Sequence, residues 1–293
     1  VRVTQSMLSN NMLSRLSNSY ERLGKLEEQI NTQKKITRPS DDPVVAMKGM
    51  SYRTAVLEVE QYQRNFGEAY NWVENTDSAL DKATQALHRI RELTVQASND
   101  TYEETQRQGI SEEVKQLKEH LAQIANTKFG DKYLFNGTDT MSPPVDIKKN
   151  PPTVSQNSQP VLIELAKGVE IPVNANPQKT FSQDLFTDVN DLITKLDSGA
   201  TGKELNGFLT ELDNHIDAMT YERASMGARL NRIELMEDRI NQQEVIAKRI
   251  MSENEDIDIE KAITQLKTQE SIHRASLGVG ARIIQPTLMD FLR

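Results

Sequence analysis

Cysteine is absent from the 293 residues. That excludes disulfides, thiolate metal sites and cysteine nucleophiles together. The absence fits a bacterial chain exported to an oxidising exterior, although many cytosolic proteins also lack cysteine. Long apolar runs are missing too. None reaches the ~18 residues of a membrane-spanning helix, so no membrane insertion is expected. Residues 1–19 lack the pattern of a cleavable signal peptide, and the opening Val1 implies an initiator Met removed or omitted. Positive charge is in short supply: Lys+Arg number 35 against Asp+Glu 43, giving a net charge of -8. Both signs are interleaved, and no basic stripe offers a track for nucleic acid. Apolar residues make up 37% of the chain and charged residues 27%. Elongated helical proteins show this profile because they have much surface and thin cores.

Chemistry-bearing constellations are equally scarce. His88, His120, His215 and His273 fall on four different predicted helices, without metal-ligand spacing. Gly278-Val279-Gly280 opens like a dinucleotide loop, but no strand precedes it and no third glycine follows. Asp256, Asp258 and Glu260 resemble part of a calcium loop without its glycine or distal Glu; an acidic helix start is the simpler reading. Asn136-Gly137-Thr138 matches a glycosylation acceptor, yet Asn-Gly first of all predicts a tight turn. No G-x-S-x-G nucleophile turn occurs. No catalytic residue, cofactor or metal site is expected, and the chain does not read as an enzyme.

What the chain has is heptads. Val59, Phe66, Val73, Leu80 and Leu87 recur every seven residues, and Tyr52 extends the series backwards. A second series offset by three reads Ala55, Tyr62, Ala69, Thr76, Ala83, Ile90 and Ala97. Together they make an a/d seam of period 3.5, the pattern by which one helix wraps another. A helix over 44–97 would be about 80 Å long at ~1.5 Å per residue. Ile110, Val114, Leu117, Leu121 and Ile124 predict an antiparallel partner over 102–128, and Met226, Ile233, Ile240 and Ala247 another seam within 203–251. Short connections favour an intramolecular bundle for these segments. Between them the period changes. Phe129 to Thr138 reads as a hairpin-like excursion, and 141–160 as a loop with little core. Val161, Ile163, Leu165 and Val169, Ile171, Val173 alternate around Lys167-Gly168, which predicts a β-hairpin. Helix resumes over 182–196.

The expected fold is mainly α: an elongated antiparallel helical bundle or coiled-coil rod with a small β-hairpin-containing insertion at its tip. Its expected segments are an N-terminal arm (1–43), a first half of the rod (44–138), a β-rich tip (139–180), a second half (181–251) and a C-terminal arm (252–293). The arms differ from the rod. Thr37 to Pro43 and Ser252 to Asp256 separate them from it. Their apolar faces are modest, and an isolated helix of this size is marginal in water. Such arms should order only weakly until they meet copies of themselves or a related chain.

Three stretches carry a resemblance: Arg2 to Asn11, Gln29 to Pro43 with its Arg38-Pro39-Ser40-Asp41-Asp42-Pro43, and Gln285 to Phe291. They resemble the bacterial flagellin family. Pro43-Val44-Val45 after the paired aspartates is more similar to its hook-associated branch, the hook–filament junction proteins, than to filament flagellin. The resemblance covers about residues 1–138 and 205–293. It implies a secreted structural subunit of the motility apparatus, exported through the flagellar type III channel and assembled extracellularly between hook and filament, with its two terminal arms paired as coiled coil. Implied partners are a ring of copies of itself, a related hook-associated protein on the hook side, flagellin on the filament side, and an export chaperone over the C-terminal arm. By position, the implied assembly interface is Leu13, Leu16, Tyr20, Leu23, Ile263, Leu266, Leu277, Ile284, Leu288 and Phe291. Filament flagellin is the alternative, and a secreted effector the more distant one.

Overall fold

The helix boundaries follow from local chemistry, and they sit close to where periodicity puts them. The computed structural model describes residues 5–99 and 104–284. Helix α1 (Gln5–Thr32) stops where Gln33 turns left-handed at φ 59°, the conformation in which helices commonly end. Asp42 starts α2 (Pro43–Ala97): its Oδ1 accepts from the backbone N–H of Val44 at 3.0 Å and Val45 at 3.1 Å. Pro43 fills the first turn, where its missing N–H costs nothing. Helix α3 (Glu104–Ala125) then leads to three two-stranded antiparallel sheets. These pair β1 (Lys128–Phe129) with β2 (Lys132–Tyr133), β3 (Val145–Asp146) with β4 (Thr153–Val154), and β5 (Leu162–Ala166) with β6 (Val169–Pro172). A short α4 (Pro177–Thr180) precedes α5 (Gln183–Asp197), which Ser182 caps through Leu185 N–H at 3.1 Å. Glu204 caps the start of α6 (Gly202–Glu255), its Oε2 accepting from the Thr201 N–H at 2.9 Å and the Thr201 hydroxyl at 3.1 Å. Asp258 Oδ1 accepts from Lys261 N–H at 3.1 Å and opens α7 (Ile259–Ile284), so the acidic run there is a helix start.

Residues 59–242 make one compact unit. Its core follows the heptads of α2: Phe66, Val73, Leu80 and Leu87 are buried, as are Ala69, Thr76, Ala83, Ile90 and Ala97. A third series, Trp72, Ala79, Ala86 and Leu93, is buried beside them and was not anticipated. The reason is a second neighbour. Arg89 reaches Glu113 of α3 at 2.8 Å, while Arg91 meets Asp213 of α6 at 2.5 Å and Arg223 of α6 meets Asp77 at 3.1 Å, so α2 and α6 run antiparallel. A stripe serving two helices must be wider than an a/d seam. Helix α5 packs on α3, with Lys115 to Asp197 at 3.0 Å and Lys118 to Asn190 at 3.2 Å. Val114, Leu121, Leu192, Leu196, Leu212, Met219, Met226, Ile233 and Ile240 complete the helical core.

The strand pairs join this core instead of standing apart. The predicted hairpin appears as β5–β6, with Leu165 and Ile171 buried. The stretch 141–160 is more ordered than a loop with little core. Val145 and Val154 pair and are buried, and the Asn126 side chain both accepts from Val145 N–H at 3.0 Å and donates to its carbonyl at 2.9 Å. Phe135 and Phe181 meet edge to face at 4.9 Å. Gly137 has φ +54°, which places the Asn136-Gly137 dipeptide in the tight turn expected of it.

Candidate assembly surface

Residues 1–58 and 243–293 form the second compact unit, and α1 packs against α7 within it. The direction is antiparallel. Lys34 bridges Asp256, Gln269 Nε2 donates to Ser19 Oγ at 3.0 Å, and the space above Gly280 is filled by Met12 Cε. A Cβ at Gly280 would meet that methyl at 3.0 Å, so the glycine permits the close approach. Small or polar residues sit deepest: Ser19, Ala262 and Gly280 are buried. His273 faces the same serine at 3.3 Å, and its ring lies 5.9 Å from that of Tyr20. The arms therefore have a partner in each other, where the sequence led us to expect weak order until a second molecule arrives.

Where the arms meet the long helices, an ion cluster fixes the connections. Lys35 N–H donates to Glu255 carbonyl at 2.7 Å and Ile257 N–H to Gln33 carbonyl at 3.0 Å. Glu255, with a side chain only 6% exposed, accepts from Arg53 Nε at 2.7 Å and Nη2 at 2.8 Å. Lys34 adds 3.4 Å to Glu255 and 2.7 Å to Asp256. The Arg53 guanidinium holds the Glu255 carboxyl below the usual carboxylate range, Lys34 does the same for Asp256, and Asp256 raises the Lys34 ammonium in return. Gly49 makes room, since an added Cβ there would lie 2.8 Å from Glu255 Oε1. The chain thus runs α6–turn–α7 without the polar break expected at Ser252; α6 continues to Glu255, and only residues 256–258 interrupt helix.

Seven of the ten expected interface residues divide into two groups. Leu16, Leu23 and Leu266 are half-buried in the α1–α7 pair, together with Leu26 and Ile30. Leu13 (56%), Tyr20 (70%), Ile263 (39%) and Leu277 (47%) remain exposed. Ile284 is the last residue of α7, and Leu288 and Phe291 lie outside the described residues. Met7, Leu8, Ile259, Ile272 and Val279 extend the exposed apolar set. Pairing has consumed only one side of each arm.

A second exposed set was missed. Val44, Met47, Met50 and Leu57 on α2, and Val245, Ile246 and Ile250 on α6, all face outward. Ala55 is exposed as well, so the α2 seam does not close until Val59 and Phe66. The sequence held a sign of this in Gln243, which sits between seam positions. Apolar surface on this scale marks interaction sites. Elsewhere, His215 Nε2 lies 2.8 Å from Asp188 Oδ2, and no group of three or more His, Asp or Glu side chains that could hold a metal ion occurs among the described residues. The described helices include none long and apolar enough to cross a membrane.

A helical subunit that keeps large apolar faces uncovered on paired terminal helices belongs to the class of proteins that assemble. The comparisons say which. Residues 3–140 match the bacterial flagellin N-terminal helical region and residues 209–292 its C-terminal helical region. The chain belongs to the bacterial flagellin family, whose members are structural proteins of the flagellum. Over 297 residues it is 25% identical to flagellar hook-associated protein 3 of Escherichia coli strain K12, covering 93% of each protein. Against the protein of the same name from Salmonella typhimurium the identity is 29% over 147 residues, which is 50% of this chain and 46% of that one. Flagellins are among the further relatives. In fold it is similar to flagellar hook associated protein-3 from Legionella pneumophila, with a TM-score of 0.64 at 15% identity over 70% of this chain and 98% of that one.

Proposed function

We propose that this chain is the subunit that joins hook to filament in the bacterial flagellum. The observation that carries the reading is the exposed apolar surface of α1 and α7 in a chain similar end to end to hook-associated protein 3. Leu16, Leu23 and Leu266 hold the two arms together. Leu13, Tyr20, Ile263 and Leu277, continued by Ile284, Leu288 and Phe291, meet neighbouring subunits. Those neighbours are copies in a ring, a related hook-associated protein on the hook side and flagellin on the filament side. Export through the flagellar type III channel delivers the chain outside the cell, and a chaperone covers the C-terminal arm beforehand. The physical reason for the chaperone is that uncovered apolar arms assemble in whichever compartment they first meet. No step of this role requires catalysis.

The test is complementation of cells whose own junction subunit has been removed. The wild-type chain should restore filament growth on existing hooks, and Leu13→Ser/Leu277→Ser should reach the hook tip without supporting it. Restoration by the double variant would overturn the assignment of this face. The second reading, filament flagellin, draws on the shared family regions and the flagellin relatives. It requires the purified chain to grow long filaments unaided; the junction role expects assemblies that stop short.

A further inference from the structure

The cleft between α3, the β3–β4 connection and α5 has a chemistry that the assembly role does not use. It encloses about 440 Å³ and is lined by Lys115 and Lys118 from α3, Lys148 and Lys149 from the connection, and Asn190 and Asp197 from α5. Glu119 and Asp197 are the acidic residues of its wall, so lysines exceed carboxylates there, in a chain whose net charge is -8. Asp197 is already engaged, with Lys115 Nζ 3.0 Å away. Lys118 is different. Its ammonium donates to two neutral oxygens, Asn150 Oδ1 at 2.9 Å and Asn190 Oδ1 at 3.2 Å, and makes no ion pair among the described residues. Two amides from separate elements therefore fix the position of a half-buried cation without neutralising it. Burial lowers the Lys118 pKa, as expected for a cation stripped of water without a carboxylate partner. Lys148 and Lys149, both exposed, add two more cations from the β3–β4 connection.

From this geometry we infer that the cleft binds a small multivalent oxyanion, with Lys118 as the oriented donor and Lys148 and Lys149 as the closing charges. A lysine ammonium has three N–H donors, and two are used by the amides, which leaves one for the ligand. The ligand chemistry shared by phosphate esters and polycarboxylates fits: several oxygen acceptors carrying more than one negative charge.

Titration calorimetry on the full chain tests this with pyrophosphate and citrate as probes, in low salt. At least one probe should bind at a single site, and the tighter of the two identifies the ligand as phosphate-like or carboxylate-like. Lys118→Gln should weaken that binding about tenfold, the worth of one charge-assisted hydrogen bond. Lys148→Gln/Lys149→Gln should weaken it and flatten its dependence on ionic strength. Lys167→Gln, on the β5–β6 turn, should leave it unchanged. Absence of binding by both probes, or equal losses from Lys118→Gln and Lys167→Gln, would overturn the inference.

Discussion

Two leucines show how differently single residues are used in this chain. Leu80 is fully buried on the α2 seam, so Leu80→Ala leaves a cavity and should cost about 2–5 kcal/mol in chemical denaturation. Leu13 is 56% exposed, and Leu13→Ala should change the stability of the isolated chain by less than ~0.5 kcal/mol while impairing filament growth in cells. A large stability loss at Leu13 would place it in a core instead. Glu255 is a third case, with a different dependence. Arg53 lowers its pKa, so the pair stabilises the fold above the ordinary carboxylate range, and that stability is lost as pH falls through the lowered value. Lys34 runs the other way: Asp256 raises it, so its contribution holds below the ordinary lysine range and fades as pH rises through the raised value. Glu255→Gln should therefore destabilise the α1–α7 unit by about 2–3 kcal/mol at neutral pH, less than a fully buried pair because Arg53 is 62% exposed. Its acid unfolding, followed by circular dichroism, should be flatter than that of the wild type. Superimposable acid profiles would show that the cluster does not set the pH response.

At the level of elements, legibility depended on how many neighbours a helix has. Period 3.5 located α2, α3 and the seam of α6 because one buried stripe is a strong signal. It did not reveal Trp72, Ala79, Ala86 and Leu93, since a seam count tracks one partner and α2 faces both α3 and α6. The pairing of α1 with α7 is implied by the family resemblance but not by the heptad count, for the opposite reason. Its deepest positions are Ser19, Ala262 and Gly280, small residues that carry little hydrophobic signal, while the conspicuous Tyr20 and Leu277 are exposed. Two-residue strands such as β3 and β4 are too short for alternation to register, and their order comes from Asn126 across 19 positions of sequence. The same reasoning applies to Met47, Met50 and Leu57. A heptad register extended backwards from Phe66 treats their helix as seam, yet all three are exposed among the described residues. Met47→Ser/Met50→Ser should keep the helicity and thermal midpoint of the wild type and reduce incorporation at hook tips. A fall of several degrees in the midpoint would mean that these methionines pack within the isolated chain.

For the whole molecule the question is whether assembly and stability are separable. Every core residue from Phe66 to Ile240 belongs to the 59–242 unit, whereas removal of residues 256–293 takes away α7 and the Asp256 partner of Lys34. Glu255 and Arg53 stay. Helix α1 would lose the partner against which Leu16 and Leu23 are half-buried, and helices draw most of their stability from such packing. The truncated chain should therefore lose the helicity of α7 and part of that of α1, and nothing more. Hydrogen exchange should find α2 from Phe66 to Ala97, α3, α5 and α6 up to Ile240 as protected as in the intact chain, because these segments lie within the 59–242 unit. Filament growth on hooks should be abolished. Protection lost throughout those helices would mean that the C-terminal arm underwrites the core, and the division of labour between a self-sufficient bundle and assembling arms would fail. Filament growth supported by the truncated chain would fail it from the other side, since the only apolar faces then left in the paired arms would be those of α1.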